Sequence, residues 1–298
     1  MIAVFGGSGT IGSQVVRELA ARGADLRLLT RSPQAQVGIP AVYADPTVPA
    51  SLGPALVGAE RLFLLTPHGP GQPGMEQALL AAAVQAGVQG IVKISGTSAS
   101  IGPNGPTATA VTHFHSERAI EDSGLEFCHI RPAFLMQNLL ETVAPIVRTR
   151  GLVATPMAGA PIAMVDARDV GAVAAHRLLA DRLGDTSIRV SGPAAVTHRD
   201  LARQLGVPCL PVPVALARKA LRAGGADDWE LDHAIRMVRF FNSGADAAVS
   251  DAVRLELGRP PRALEDFIGE HRGDFGGAQE SRRGWRQLLP TSPLREER

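Results

Sequence analysis

The chain has 298 residues, with 30 Lys and Arg against 29 Asp and Glu, a formal net charge of +1 and two cysteines. So even a balance argues against a nucleic-acid or membrane surface as the main partner, and Cys128 and Cys209 supply neither a disulfide framework nor a metal-ligand spacing. No apolar run approaches the roughly 20 residues that span a bilayer, and Met1 leads straight into a first strand with no room for a signal peptide, so a reduced, cytoplasmic protein is expected.

Ile2-Ala3-Val4-Phe5 predicts a buried strand, Gly6-Gly7-Ser8-Gly9-Thr10-Ile11-Gly12 a glycine turn, and the segment from Ser13 a helix with Val15, Val16, Leu19 and Ala20 at helical spacing. In such a unit an early glycine allows a tight turn, a middle one lets a pyrophosphate approach the main chain, and the last lets helix pack on strand. The helix then points its free N–H groups and positive dipole end at the phosphates. The second strand, 26–30, ends at Thr30-Arg31, where NAD-binding versions of this fold carry a carboxylate for the ribose 2′-hydroxyl. A guanidinium there pairs with a 2′-phosphate, so the expected cofactor is NADP(H). A third short strand near 42–44 ends at Asp45, which either accepts a hydrogen bond from the adenine amino group or caps the helix near 51–56.

A fourth strand is expected over 61–66, closed by Pro67-His68-Gly69, then a helix over 74–86, a fifth strand over 90–95, a helix over 107–123 and a sixth strand over 126–131. Continuous apolar strands separated by helices imply an α/β fold, a doubly wound parallel sheet of Rossmann type covered on both faces. Beyond Pro132 the pattern loosens into a loop and helix over 133–150 and a turn-rich connection over 151–161, before a helix over 168–180 and a strand over 187–191. Short helices with Pro-rich joints follow from 193. The expected organisation is an NADP-binding domain over 1–192, with cleft elements from 133–165, a smaller, mostly helical substrate-binding lobe over 193–272, and a flexible tail over 273–298 onto which Trp285 and Leu288-Leu289 could dock back.

Several segments together resemble the NmrA-like branch of the atypical short-chain dehydrogenase/reductase superfamily. They are the glycine turn at 6–12, Leu29-Thr30-Arg31, Leu64-Leu65-Thr66-Pro67, Gly87-Val88-Gln89-Gly90-Ile91-Val92-Lys93-Ile94-Ser95, His113-Phe114-His115-Ser116-Glu117, Ser123-Gly124-Leu125, Ile130-Arg131-Pro132-Ala133-Phe134-Leu135-Met136-Gln137-Asn138 and the stretch from Gly258 to Phe267. Relatives with this pattern include NAD(P)H-quinone oxidoreductases, isoflavone-reductase-like enzymes and NADP-sensing regulators. The resemblance implies cofactor contacts from Gly6, Ser8, Gly9, Thr10, Ile11, Gly12, Arg31, Asp45, Leu65, Thr66, Pro67, Ser95, His113 and Pro132.

The chain departs from the superfamily at its proton-transfer pair, Tyr-x-x-x-Lys on the helix after the fifth strand. Anchoring on Glu117 and Ser123-Gly124-Leu125 puts His113 in the Lys position and Thr109 in the Tyr position, and the only tyrosine is Tyr43. His113 is read as holding the nicotinamide ribose or the substrate oxygen, or as exchanging the proton itself. Thr109 is at most a hydrogen-bonding bystander, and Ser95, ending the fifth strand, is a contact for substrate or nicotinamide. Lys93, two residues earlier on the same strand face, reads as a structural lysine. Expected substrate contacts are His68, Phe134, Asn138, Trp229 and Phe240, and no metal site is expected. The function that follows is NADPH-dependent reduction of an apolar conjugated carbonyl, such as a quinone or polyketide-like aromatic ketone, by a monomer or homodimer. The alternative is a non-catalytic NADP(H) sensor acting through a protein partner.

Overall fold

The structure, a computed structural model, describes residues 1–33 and 38–276. Strands β1 (Ile2–Phe5), β2 (Leu26–Thr30), β3 (Ala41–Tyr43), β4 (Arg61–Leu64), β5 (Gly90–Ile94), β6 (Glu126–Pro132), β7 (Val153–Thr155), β8 (Thr186–Val190) and β9 (Cys209–Pro211) form two sheets. The larger runs β3-β2-β1-β4-β5-β6-β8, with every pairing parallel. Its two faces read alternate residues. Val4, Leu28, Val92, Ile94 and Ile130 pack under α1 (Gly12–Ala21) and α7 (Ala167–Leu179), while Ala3, Phe5, Leu29, Leu62, Leu64 and Ile91 pack under α2 (Leu52–Leu56), α3 (Gln72–Gln85) and α4 (Ala108–Glu121). This double coverage is why the central strands β1, β4 and β5 are mostly apolar instead of alternating, and it fits the doubly wound Rossmann-type α/β fold. Strand order reverses between β1 and β4, which opens a crevice at their carboxyl ends.

A second core lies over that crevice. It joins α5 (Asn138–Thr142), α6 (Ala144–Arg150), α8 (His198–Leu205), α10 (Asp228–Asn242) and α12 (Leu264–Glu270) through residues such as Leu139, Val147, Leu201, Phe241 and Phe267. It also holds β7, which pairs with β9 where the sequence suggested only a turn-rich connection and a joint. Each strand has three residues and a proline at or next to its end, and the partners lie more than fifty positions apart, so no local periodicity announces them. Among the late helices, α9 (Val214–Ala223) contributes no buried residue. α11 (Ala252–Leu257) returns to the main sheet, placing Val253 in the first core beside α7 and β8. The expected flexible tail begins with order at Phe275, which is 2% exposed within the second core, while Trp285, Leu288 and Leu289 lie outside the described residues. No helix among the described residues is long and apolar enough to cross a membrane.

Candidate active site

The glycine turn is shaped by close approaches that a side chain would block. Gly6 has φ +87° and a Cβ there would lie 2.2 Å from the Leu65 carbonyl oxygen, while a Cβ on Gly12 would lie 1.9 Å from the Gly6 carbonyl oxygen. Those two glycines let β1, α1 and the segment after β4 meet, and they bring Leu65, Thr66 and Pro67 beside the turn. Gly9 differs: it is exposed, and the nearest atom to an added Cβ would be the Gly6 carbonyl oxygen at 3.5 Å. The protein itself has room for a side chain there, so the open space serves whatever approaches from the crevice.

Helix α1 has no side-chain cap at Ile11 and no acid in its first turn. The amides of Thr10, Ile11 and Gly12 find no acceptor among the described residues. Unpaired donors at an uncapped helix start form an anion site. These features of the turn fit the pyrophosphate of a dinucleotide.

Arg31, just past β2, is exposed and has no hydrogen-bond or ion-pair partner among the described residues. Asp45 follows β3 and closes a turn on itself, its Oδ1 accepting from the Thr47 amide at 2.9 Å and the Thr47 hydroxyl at 2.7 Å. These bonds, with a smaller pull from Arg31, hold its carboxyl below the ordinary range. Asp45 does not cap α2. Ser51 precedes that helix and gives its hydroxyl to the Val48 carbonyl at 2.7 Å.

Next to the crevice is a cavity of about 1090 Å³ between the main sheet and the second core. Ser95, Pro132, His68, Phe134 and Asn138 line it, together with Met157, His198, His233 and Phe241. Phe134 meets Phe241 edge-on at 5.4 Å. Two expected substrate contacts fall outside the wall. Phe240 is only partly buried against the second core, because one residue's rotation along α10 gives both the core and the cavity wall to Phe241. Trp229 instead stacks at the rim on His68 (5.8 Å) and His233 (5.3 Å).

Ser95 is 5% exposed, and its hydroxyl lies beside the Glu117 carboxylate, whose pKa it helps to lower. On α4, Thr109 and His113 stand one turn apart, and Thr109 Oγ1 and His113 Nδ1 are buried without hydrogen-bond partners among the described residues. Neither lines the cavity. Gly96 does, and a Cβ on it would come within 3.1 Å of His113 Cδ2, so the exit of β5 lies against the imidazole. Burial, then the nearby Lys93 ammonium, push the His113 pKa down to about 3, and the ring is neutral at neutral pH.

Lys93 is 0% exposed and donates to Glu76 Oε1 at 2.6 Å, the same oxygen that accepts from Thr66 Oγ1 (2.8 Å) and Gln72 Nε2 (3.1 Å). Burial works to raise the Glu76 pKa, but the Lys93 and His113 side chains outweigh it and hold it down to about 2. This pair fastens β5, α3 and the Thr66 segment together. The signal for it was present in the sequence: one of only two lysines, set inside an apolar strand, calls for a carboxylate.

Asp246 carried no such signal. Its fully buried carboxylate accepts from Arg189 at 2.9 Å, from the Phe134 amide at 3.2 Å and from the Thr97 hydroxyl, tying two cavity-wall segments to β8. One cluster of candidate metal ligands occurs among the described residues, Glu117, Glu121 and His129, but Arg131 binds both oxygens of Glu117.

The NmrA-like family model matches residues 1–197. An NAD(P)H azoreductase of Xenophilus azovorans is 31% identical over 289 residues, covering 93% of this chain and 100% of that protein. A (4-alkanoyl-5-oxo-2,5-dihydrofuran-3-yl)methyl phosphate reductase of Streptomyces griseus is 34% identical over 285 residues, covering 92% and 99%. The structure of an NADPH-dependent quinone oxidoreductase from Escherichia coli, solved with NADPH, superposes with a TM-score of 0.80 at 25% identity, covering 91% of this chain and 99% of that one. By its family match, and by its likeness to relatives over their whole length, the chain belongs to the NmrA-like family.

Proposed function

We propose that this NAD(P)H-dependent oxidoreductase uses NADPH to reduce an uncharged, apolar conjugated carbonyl, of which a quinone is the representative case. The observation that carries the reading is the cavity: about 1090 Å³, largely apolar, with Ser95 on the main-sheet wall and no Lys or Arg among the described lining residues. An anionic substrate would lose its hydration there without gaining a cation. The Streptomyces relative is named for a phosphate-bearing lactone, and the wall of this chain favours a neutral ring instead. A sensor with no substrate would have little use for a cavity of this size.

When bound, the nicotinamide supplies the hydride. The turn and α1 hold the pyrophosphate, Arg31 holds the 2′-phosphate, and Ser95 donates its hydroxyl to the substrate oxygen. His113, with Thr109 one turn away, positions the nicotinamide ribose. Phe134 and Asn138 orient the substrate on the other side. The oxygen of a reduced quinone is already stabilised by conjugation, so water can deliver its proton and no tyrosine is required.

Steady-state NADPH oxidation against a panel of benzoquinones and naphthoquinones, with an azo dye in parallel, tests the proposal. Absence of quinone turnover overturns it, and turnover of the azo dye alone reassigns the acceptor.

Two variants test the assigned roles. Arg31→Ala should weaken NADPH by roughly ten- to hundredfold and leave NADH nearly unchanged, since one charge-assisted contact is lost. Equal losses for both cofactors would refute the Arg31 assignment. His113→Ala should raise the KM for NADPH more than it lowers kcat. A neutral imidazole held at about 3 has no titration to contribute between pH 5 and 9, so the wild-type and variant kcat profiles should have the same shape. A loss of about 10²–10⁴ in kcat with a changed profile would make His113 the proton donor.

A further inference from the structure

His198 opens α8, which packs on β7, β9 and α12, so it enters the cavity from the small-sheet wall while Ser95 comes from the main sheet. Its side chain is 1% exposed and its Nδ1 meets no close hydrogen-bond partner among the described residues. The helix does not need it as a cap. Thr197 and Asp200 form a complete capping box, with the Asp200 amide on Thr197 Oγ1 at 3.2 Å and the Thr197 amide on Asp200 Oδ2 at 2.9 Å. Nor does an ion pair hold it. Burial pushes its pKa down to about 4 against the pull of the Met157 carbonyl, so the ring is neutral at neutral pH, with one nitrogen a donor and the other an acceptor. The Met157 carbonyl takes the ring N–H, which leaves the other ring nitrogen as an acceptor. A desolvated acceptor facing an apolar cavity is costly to leave unpaired, and an entering hydroxyl recovers that cost.

We propose that His198 is a substrate anchor, whose remaining ring nitrogen accepts a hydrogen bond from a neutral hydroxyl carried on the part of the substrate that reaches the small-sheet wall. The preferred substrates are therefore fused-ring compounds with oxygen on two separate rings, one reduced beside Ser95 and the other held by His198. This inference rests on the carbonyl-reductase reading and narrows its substrate class.

The test compares 1,4-naphthoquinone with 6-hydroxy-1,4-naphthoquinone, at a pH where the hydroxyl is neutral, in wild type, His198→Leu and His198→Gln. Wild type should favour the hydroxylated ring in kcat/KM by roughly three- to tenfold, the worth of one neutral hydrogen bond. In His198→Leu that ratio should fall to about one, and His198→Gln should keep part of it. Calorimetric titration of both compounds into the NADP⁺-loaded protein gives the same ratio without turnover. Binding that prefers the hydroxylated ring, with no reduction of either quinone, would sink the reductase reading and leave the anchor standing. Turnover with no preference in wild type, or a preference that survives in folded His198→Leu, would overturn the anchor. Should His198→Leu fail to fold, the wild-type ratio and the glutamine variant decide the matter.

Discussion

Gly9→Val is expected to abolish NADPH binding in a protein that still folds. The turn contains two kinds of glycine. Gly6 and Gly12 are required by the protein itself, because a Cβ on either would lie about 2 Å from a backbone carbonyl oxygen, at 2.2 Å and 1.9 Å. Gly9 is required by nothing in the fold: an added Cβ would make an ordinary contact at 3.5 Å, and the residue is exposed at the mouth of the crevice. A valine there would place three carbons where the pyrophosphate meets the free amides of Thr10, Ile11 and Gly12. Affinity should drop by more than about a hundredfold, at least ~2.7 kcal/mol. The thermal midpoint should move by only a few degrees. Gly12→Ala should instead lose the fold of the turn and be unstable with or without cofactor. Fluorescence titration with NADPH, beside a melting curve for each variant, separates the cases. Normal affinity in folded Gly9→Val would mean that the phosphates bind elsewhere.

Glu76→Leu is expected to destabilise the protein by about 3–5 kcal/mol, the usual cost of stranding one partner of a buried ion pair. Lys93 is 0% exposed, Glu76 is 3% exposed, and among the described residues the only other contact of the ammonium is the Ile94 carbonyl at 3.5 Å. Removing the carboxylate leaves a charge with no water to receive it. The double variant Glu76→Leu/Lys93→Met should recover most of the loss, since apolar replacement of both partners costs little. The pair also has a pH signature. A carboxyl held down to about 2 in the native state and ordinary in the unfolded chain stabilises the fold above about pH 4.5, and that contribution fades as pH falls towards 2. Urea denaturation from pH 7 to pH 3 reads both effects. Single variants that each cost under about 1 kcal/mol would show that solvent or another group meets the Lys93 charge. Thr66 bonds to the same Glu76 oxygen, so Glu76→Leu should also weaken NADPH by loosening the segment beside the glycine turn.

The order strand, glycine turn, helix could be read without coordinates, because it rests on local chemistry: an apolar run of four, glycines at 6, 9 and 12, and helical spacing from Val15 onward. The parallel sheet followed in the same way, since strands buried on both faces are apolar at most positions. The absence of the tyrosine–lysine pair was also a fact of sequence alone.

What needed the tertiary structure were the meetings between distant segments. β7 and β9 pair across more than fifty residues with three residues each, and Asp246 reaches Arg189, Thr97 and Phe134 from a loop after α10. Which of Phe240 and Phe241 faces the cavity depends on the rotation of α10, and adjacent phenylalanines carry no record of it. His198 looked like any helix-start residue until α8 was set into the cavity wall. Helix period, strand burial and turn chemistry are written within a few neighbouring residues, so this chain's sequence alone determined its Rossmann-type sheet and the helices on it. The cavity wall is assembled from the exits of β5 and β6 with α5, β7, α8, α9 and α10, and its composition was decided only when the fold brought those segments together.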